Sequence, residues 1–183
     1  LHGSPTAVMQ YDGAQGWLVG APHKGMAAMF TMMNNARLGV GMQGVAVAEA
    51  AFQLALTYAT DRKQGRTPLG AGAIIDHADV RRMLAQMKAE TFAARAIGLA
   101  CAVAIDMGRA TGSTEWQARA ALLTPVAKSY GTDIGVEVAQ MGVQVHGGVG
   151  FIVETGAAPF AGAGRVPSIY VATHGVKALA KQL

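Results

Sequence analysis

Three stretches of helical periodicity, each about thirty residues or longer, leave this chain few folds to choose from. Between residues 25 and about 64, Met29, Met32, Met33, Leu38, Val45, Ala48, Phe52, Leu56 and Ala59 recur at steps of three and four, as an apolar helix face requires. Asn34-Asn35 and Gly39 are the places where so long a helix could break. Gly65 is a plausible stop, and "RTPLGAGAI" reads as a loop. Asp76 then offers an N-cap for a second helix to about residue 109, with Val80, Met83, Leu84, Met87, Phe92 and Leu99 on or near one face. After the turn "TGST" a third helix runs from about 114 to 145, and Pro125 inside it calls for a kink or a break. Residues 146–168 are rich in Gly and Ala, carry two prolines and read as a connection, and a last helix is expected over 169–183. Long helices joined by short or medium loops describe an all-α, up-down four-helix bundle.

The opening is different. "TAVMQY" and "WLVG" are short strand candidates on either side of "DGAQG", a turn with Gly where positive φ is easiest. This short N-terminal β-hairpin looks like the remnant of a larger sheet, since two strands alone are marginal in water.

Composition narrows the function classes. Fifteen basic and eleven acidic side chains leave a formal charge of +4, but no cationic run exceeds two residues, so the pattern does not favour nucleic acid as a partner. The single cysteine, Cys101, lies in the apolar run "AIGLACAVAI", where a buried structural thiol is expected, and without a disulfide framework a reducing compartment follows. That run spans about ten residues between Arg95 and Asp106, short for a bilayer, and no basic segment followed by an apolar one opens the chain. A cytoplasmic protein without a membrane partner is the expectation. No internal repeat is visible, and no metal-ligand set stands out.

Three stretches carry a resemblance: "MFTMMNNARLGVGMQGVAVAEAAFQLALTYATDRKQG", then "HADVRRMLAQM", then "VAQMGVQVHGGVGF". In this order and spacing they resemble the C-terminal helical domain of the flavin-dependent acyl-CoA dehydrogenases, and the wording of the opening resembles most the bacterial branch acting on 3-methylmercaptopropionyl-CoA and related acyl-CoAs. The resemblance implies that residues 1–22 are the incomplete end of a middle β-domain and residues 23–183 the helical domain. It also implies α,β-dehydrogenation of an acyl-CoA, with FAD as hydride acceptor and a homo-oligomer, dimer or tetramer.

Residue by residue, Arg62 in "DRKQG" matches the arginine that reaches the FAD pyrophosphate of a neighbouring subunit. A guanidinium suits paired phosphate oxygens. Read alone, Asp61, Arg62 and Lys63 are a solvated helix end. Gln144, Gly147 and Gly148 match the turn at the adenosine part of FAD, and read alone they are a helix cap. His77 matches a histidine near the adenine, but Ala78 stands where the family has glutamine. Without the family, His77 is a capping residue of the second helix. Arg37 matches an arginine at the substrate end, and a structural partner would equally explain a cation on that face.

The family pattern fails in "IYVATHGV". Tyr170, Val171, Ala172 and Thr173 align with the tyrosine, catalytic glutamate, glycine and threonine of the family, so Val171 occupies the base position and cannot accept a proton. Tyr170 is carried over as a substrate contact and Thr173 as a cofactor contact. The alternative seat used by some relatives is Ala36, also without a carboxylate. Ahead of the motif only Arg165 remains of an expected Arg-Asp pair. Either the chain is a base-deficient relative, or its reading frame is disturbed between about residue 158 and the end. His174 and Glu154 are the nearest ionisable groups, and the backbone N–H of Val171 could still polarise a thioester carbonyl. The competing reading is a non-catalytic helical oligomerisation module.

Overall fold

The computed structural model describes residues 7–68 and 72–169. Within them lie four α-helices: α1 (Gly25–Asp61), α2 (Ala78–Thr111), α3 (Thr114–His146) and α4 (Ala157–Ile169). Short 3-10 turns at Ile74–Asp76, Gly147–Phe151 and Val153–Thr155 complete the regular structure, and there is no strand among the described residues. Contacts divide the chain into Leu1–Met32 and Met33–Leu183, ten residues later than the boundary expected from sequence.

In the first unit the expected hairpin is absent among the described residues: 7–24 are irregular, with bends at 12–13 and 20–21 and a turn at 22–23, and Val8, Trp17, Leu18 and Val19 are exposed. Gly13 does take the positive φ foreseen for "DGAQG", at 66°. The turn is thus present without the ladder, as two short strands alone are marginal in water.

The second unit has a core of Val45, Ala48, Ala51, Ala55 and Ala59 from α1, Met83, Leu84, Met87 and Ala94 from α2, and Ile134, Val138, Ala139 and Val145 from α3. No break interrupts α1 at Asn34-Asn35 or Gly39. Only Gly112 and Ser113 link α2 to α3, so these helices fold back along each other, and the Ser113 hydroxyl caps α3 by accepting from the Trp116 N–H at 3.5 Å. α3 also continues through Pro125, and Ala121, whose carbonyl loses its usual amide partner there, still has an interaction.

Along α2 the buried face is Met87, Thr91, Ala94, Gly98, Cys101, Ala104 and Gly108. Phe92 and Leu99, expected on the core side, are exposed together with Val103 and Met107. The reason is residue size: a face of small side chains lets neighbouring backbones approach, and the bulky apolar residues lie on the other side. Cys101 is fully buried, its sulfur 3.5 Å from the Thr124 hydroxyl, as expected of a structural thiol.

The crossing of α1 and α3 takes this closeness further. A Cβ added at Gly41 would lie 2.7 Å from the Ala127 carbonyl oxygen, and one at Gly131 would lie 2.6 Å from the Gly41 oxygen. One at Gly44 would strike the Gly131 carbonyl. α4 packs against α3 with Gly164, whose added Cβ would meet the Gly135 oxygen at 3.2 Å.

α4 itself corrects the sequence reading, which made 146–168 a connection. Ala is the best helix former, and Pro159 falls in the first turn, where a missing N–H costs little. At the other end Lys128 Nζ donates to the Ser168 carbonyl at 3.4 Å, placing a cation where the helix dipole favours one. The expected helix over 169–183 lies outside the described residues, beyond Ile169. α1 and α2 each hold a stretch long and apolar enough, by length and composition alone, to cross a membrane, so the ten-residue run read around Cys101 understated α2. Core helices of a bundle meet the same criterion.

Candidate functional site

The last turn of α1, the loop after it and the last turn of α3 enclose a cavity of about 370 Å³. Tyr58 and Arg62 reach it from α1, four residues apart and therefore on one helix face. Val145, His146 and Gly147 line it from α3, and Ile74, His77 and Val80 close the side where α2 begins.

One wall is aromatic. The Tyr58 and His146 rings stack with centroids 4.3 Å apart and an interplanar angle of 26°. His146 is buried, and its Nδ1–H donates to the Gly142 carbonyl at 2.7 Å, which fixes the ring plane and the tautomer. Gly147 ends α3 at φ 62°, ψ −141°, a backbone conformation that a side chain would strain. An added Cβ at Gly147 or Gly148 would meet nothing within 4 Å, so the backbone of this turn is open to a ligand.

Arg62 begins a pinned loop. Its N–H still donates to the Tyr58 carbonyl at 2.9 Å, while its own carbonyl accepts from Ile74 N–H at 2.8 Å. An antiparallel bridge joins Lys63 and Ala73. The guanidinium is exposed and donates to the Gln64 side-chain oxygen at 3.4 Å. A cation on the rim, an aromatic wall and an open glycine turn suit a phosphate joined to a flat heterocycle.

The cavity therefore brings together Arg62, His77 and Gly147 of the residues expected from sequence. Gln144 borders the turn, its carbonyl accepting from Gly147 N–H, but it does not line the cavity, and neither does Gly148. His77 occupies the N-cap position of α2 without a side-chain capping bond, so the capping role expected from sequence is not the one it has. Tyr58 was missed, although its spacing of four from Arg62 marks it. Arg37 is buried and partnered, and stands twenty-five residues up α1 from Arg62, about 37 Å at the rise of an α-helix. One turn beyond Arg37, Gly41 abuts Lys128, which in turn holds Ser168. Tyr170, Val171, Thr173 and His174 lie outside the described residues. Ala36 is half-buried on α1, and Glu154 is exposed in a 3-10 turn.

A second cavity, about 350 Å³, opens between α1 and α2 beside Met42, Glu49, Gln53 and Arg95. Arg95 Nη2 donates to Glu49 Oε2 at 2.6 Å and Gln53 Nε2 to Oε1 at 2.8 Å. These two bonds, the arginine's foremost, hold the Glu49 carboxyl below its ordinary range against the opposing effect of burial. A depressed carboxylate stabilises the fold above its unfolded value, near pH 4.3, and that contribution disappears as pH falls through the lower folded value. Because both side chains are about one-third exposed, Glu49→Gln should cost about 0.5 kcal/mol in urea at pH 7, and the difference should shrink as pH falls below the ordinary carboxylate range. Equal stabilities at pH 7 would show that the pair contributes nothing. Among the described residues no cluster of His, Cys, Asp and Glu could hold a metal ion.

Comparison with known proteins identifies the family of the helical region. The family profile "Acyl-CoA dehydrogenase, C-terminal domain" matches residues 23–177. A 3-methylmercaptopropionyl-CoA dehydrogenase of Ruegeria pomeroyi is 46% identical over 185 aligned residues, covering 97% of this chain and 32% of that protein. Among solved structures, butyryl-CoA dehydrogenase of Megasphaera elsdenii shares the fold with a TM-score of 0.75 at 24% identity, over 89% of this chain and 39% of that one. An acyl-CoA dehydrogenase of Bacillus anthracis complexed with FAD is 25% identical with a TM-score of 0.74, over 82% of this chain and 27% of that one. The chain thus spans about a third of the length of the curated relatives it matches. By the profile across its helices and its likeness to the Ruegeria enzyme, this chain belongs to the acyl-CoA dehydrogenases, as their C-terminal domain.

Proposed function

We propose that the chain is the helical part of an acyl-CoA dehydrogenase that grips the nucleotide end of FAD, with the Arg62 cavity taking the adenosine diphosphate portion. The observation that carries this is the convergence of Arg62, the Tyr58–His146 pair and Gly147 on one cavity. Its volume lies within the usual range for ligand pockets, roughly 300–1,000 Å³, and suits one end of an extended cofactor. The Bacillus anthracis relative, solved with FAD, supports the choice of nucleotide. Bound FAD would supply the hydride acceptor for α,β-dehydrogenation of an acyl-CoA thioester.

The chain's own residues divide the remaining work. Arg62 pairs with phosphate oxygens, His146 and Tyr58 present a rigid flat wall, and the turn at Gly147 and Gly148, with Gln144 behind it, admits close approach. Arg37 and Tyr170 serve the acyl-CoA end, and Thr173 the cofactor. At Val171 no side chain can take the α-proton, while its backbone N–H can still polarise the thioester carbonyl. The protein is then base-deficient, with a rate reduced by roughly the 10²- to 10⁴-fold that a positioned acid-base group supplies. A cytoplasmic setting belongs to the same proposal, in keeping with one buried thiol, Cys101.

The test is retention of nucleotide. Arg62→Ala should weaken FAD or ADP binding by about 10- to 100-fold, the equivalent of the roughly 1.5–3 kcal/mol of a hydrogen bond to a charged group. Unchanged affinity would remove Arg62 from the site.

A second reading, a homo-oligomerisation module without catalysis, is favoured by one observation. Phe92, Leu99, Val103 and Met107 lie along one exposed face of α2, and Leu122 and Val126 are exposed on α3. Apolar surface of this kind marks interaction sites. Both readings include self-association, as dimer or tetramer, and flavin content separates them: a yellow oligomer supports the first, a colourless one the second. Sedimentation showing only monomer at tens of micromolar would count against both.

A further inference from the structure

We infer that Lys128 is a positioning residue for the acyl-CoA end of the protein, acting from α3 on the Ser168 carbonyl and so on the point from which the chain enters "IYVATHGV". The inference rests on the proposed reading of that motif. Lysine is among the residues least often buried, yet Lys128 is only 5% exposed. The glycine crossing shows how this comes about: a Cβ built at Gly41 would lie 3.1 Å from the Lys128 Cα, so α1 covers this part of α3 closely. Of the three donors on the ammonium, one reaches the Ser168 carbonyl at 3.4 Å, forty residues on, and the side chain has a further interaction besides. The backbone beneath it is held too, because the fully buried Thr132 hydroxyl donates to the Lys128 carbonyl at 2.8 Å.

The bond falls on the part of α4 that its own ladder holds least. Pro167 has no N–H to give to the Ala163 carbonyl, so this turn lacks a backbone bond. The Ser168 hydroxyl turns back to the Arg165 carbonyl at 2.7 Å. Pro167 and Ser168 are nonetheless buried, whereas Ile169 directly after them is exposed. Two contacts with α3 secure this half of α4: the approach of Gly164 to the Gly135 carbonyl and, one turn later, the Lys128 bond.

The lysine stands between the two helices that lead to the acyl-CoA end. Its backbone abuts α1 one turn beyond Arg37, and its ammonium holds the residue two positions ahead of Tyr170 and three ahead of Val171. A reacting group displaced by about 1 Å can lose about 10²-fold in rate, so fixing the carbonyl from which the motif departs bears directly on how it meets a thioester. The Arg62 cavity is remote from this contact: Gly41 lies twenty residues from the end of α1, about 30 Å at the rise of a helix.

Two measurements test the role. In the full chain, Lys128→Met, which keeps the apolar stem and removes the ammonium, should speed amide hydrogen exchange at residues 168–171 about tenfold and leave the core amides of α1 and α2 unchanged. Tenfold is the lower end for a hydrogen bond to a charged group, in keeping with its length. With this chain in place of the corresponding third of the Ruegeria relative and FAD bound, the same substitution should weaken binding of 3-methylmercaptopropionyl-CoA about tenfold without loss of FAD. A merely structural lysine would lower both or neither. Lys128→Arg, which keeps the charge and a donor, should restore most of the affinity, and it carries the test if the Met variant is poorly folded. FAD lost together with acyl-CoA, or failure of both variants to fold, makes Lys128 a general support of the bundle and overturns the inference. So do unchanged exchange at 168–171, unchanged acyl-CoA affinity, or an Arg variant that folds and binds no better than the Met variant. If the unsubstituted protein does not bind the acyl-CoA, or Tyr170→Ala leaves its affinity unchanged, the reading of "IYVATHGV" as the acyl-CoA end falls and takes this inference with it.

Discussion

Gly44→Ala should unfold this bundle at a markedly lower denaturant concentration, although alanine is the better helix former. In an open helix the exchange would gain about 1 kcal/mol. At Gly44 the new methyl would run into the Gly131 carbonyl, with the carbonyl carbon at 2.6 Å and the Thr132 Cα at 2.7 Å. All three are backbone atoms of α3, so no side chain can swing aside. Overpacking of this kind costs about 1–3 kcal/mol and occasionally more, and the upper end applies where backbone meets backbone. Set against the helix-propensity gain, the net loss of about 2 kcal/mol corresponds to a fall in Tm of roughly 4–8 °C for a domain of this size. Gly39→Ala on the same helix is the control, because an added Cβ there meets nothing within 4 Å, and it should be neutral or stabilising. Thermal and urea unfolding followed by circular dichroism decides the matter. Similar midpoints for the two variants would mean that α1 and α3 do not cross where Gly44 faces Gly131.

Val171→Glu should produce the largest change in chemistry. On the proposed alignment Tyr170 and Thr173 stand at the family's positions on either side of the carboxylate, so one substitution restores the pattern apart from Ala172. A carboxyl group in a desolvated acyl pocket has its pKa raised, which suits proton abstraction near neutral pH. The measurement uses this chain in place of the corresponding third of the Ruegeria relative, loaded with FAD, and follows exchange of the acyl-CoA α-proton in deuterated buffer. An increase of about 10²- to 10⁴-fold over the Val171 protein is expected, towards the lower end because the Ala172 methyl crowds the position of a glycine. Should the Glu variant bind FAD and acyl-CoA and exchange no faster, the alignment of "IYVATHGV" with the family's catalytic motif is wrong.

Helix existence was legible in the sequence because long apolar periodicity has few other solutions, and α1, α2 and α3 end within a few residues of where Gly65, Asp76 and the "TGST" turn suggest. Facing was less legible. Hydrophobicity selects Phe92 and Leu99 for the core, whereas close helix packing selects Thr91, Ala94, Gly98 and Cys101, and on α2 the second criterion prevails. α4 was hidden by Pro159 and Pro167, which read as breakers until their places in the helix are known. Of the site, Arg62, His77 and Gly147 were legible only through the family's motifs, since a helix-end cation, a histidine at a helix start and a capping glycine are ordinary features. The stack of Tyr58 on His146 joins residues that no local pattern connects.

That separation in sequence bears on folding kinetics. Tyr58 and Arg62 lie at the end of α1, His146 and Gly147 at the end of α3, and more than eighty positions divide them. Each helix can form early from local contacts, but the cavity exists only after the ends of α1 and α3 have met, with the entropy of closing that long loop already spent. It is therefore a late product of folding, absent from any partly folded state in which α2 and α3 have paired and α1 has not. A ligand that fits it recognises the completed fold alone, and by mass action withdraws molecules from the partly folded pool, worth about 2.7 kcal/mol at a hundredfold excess over its Kd.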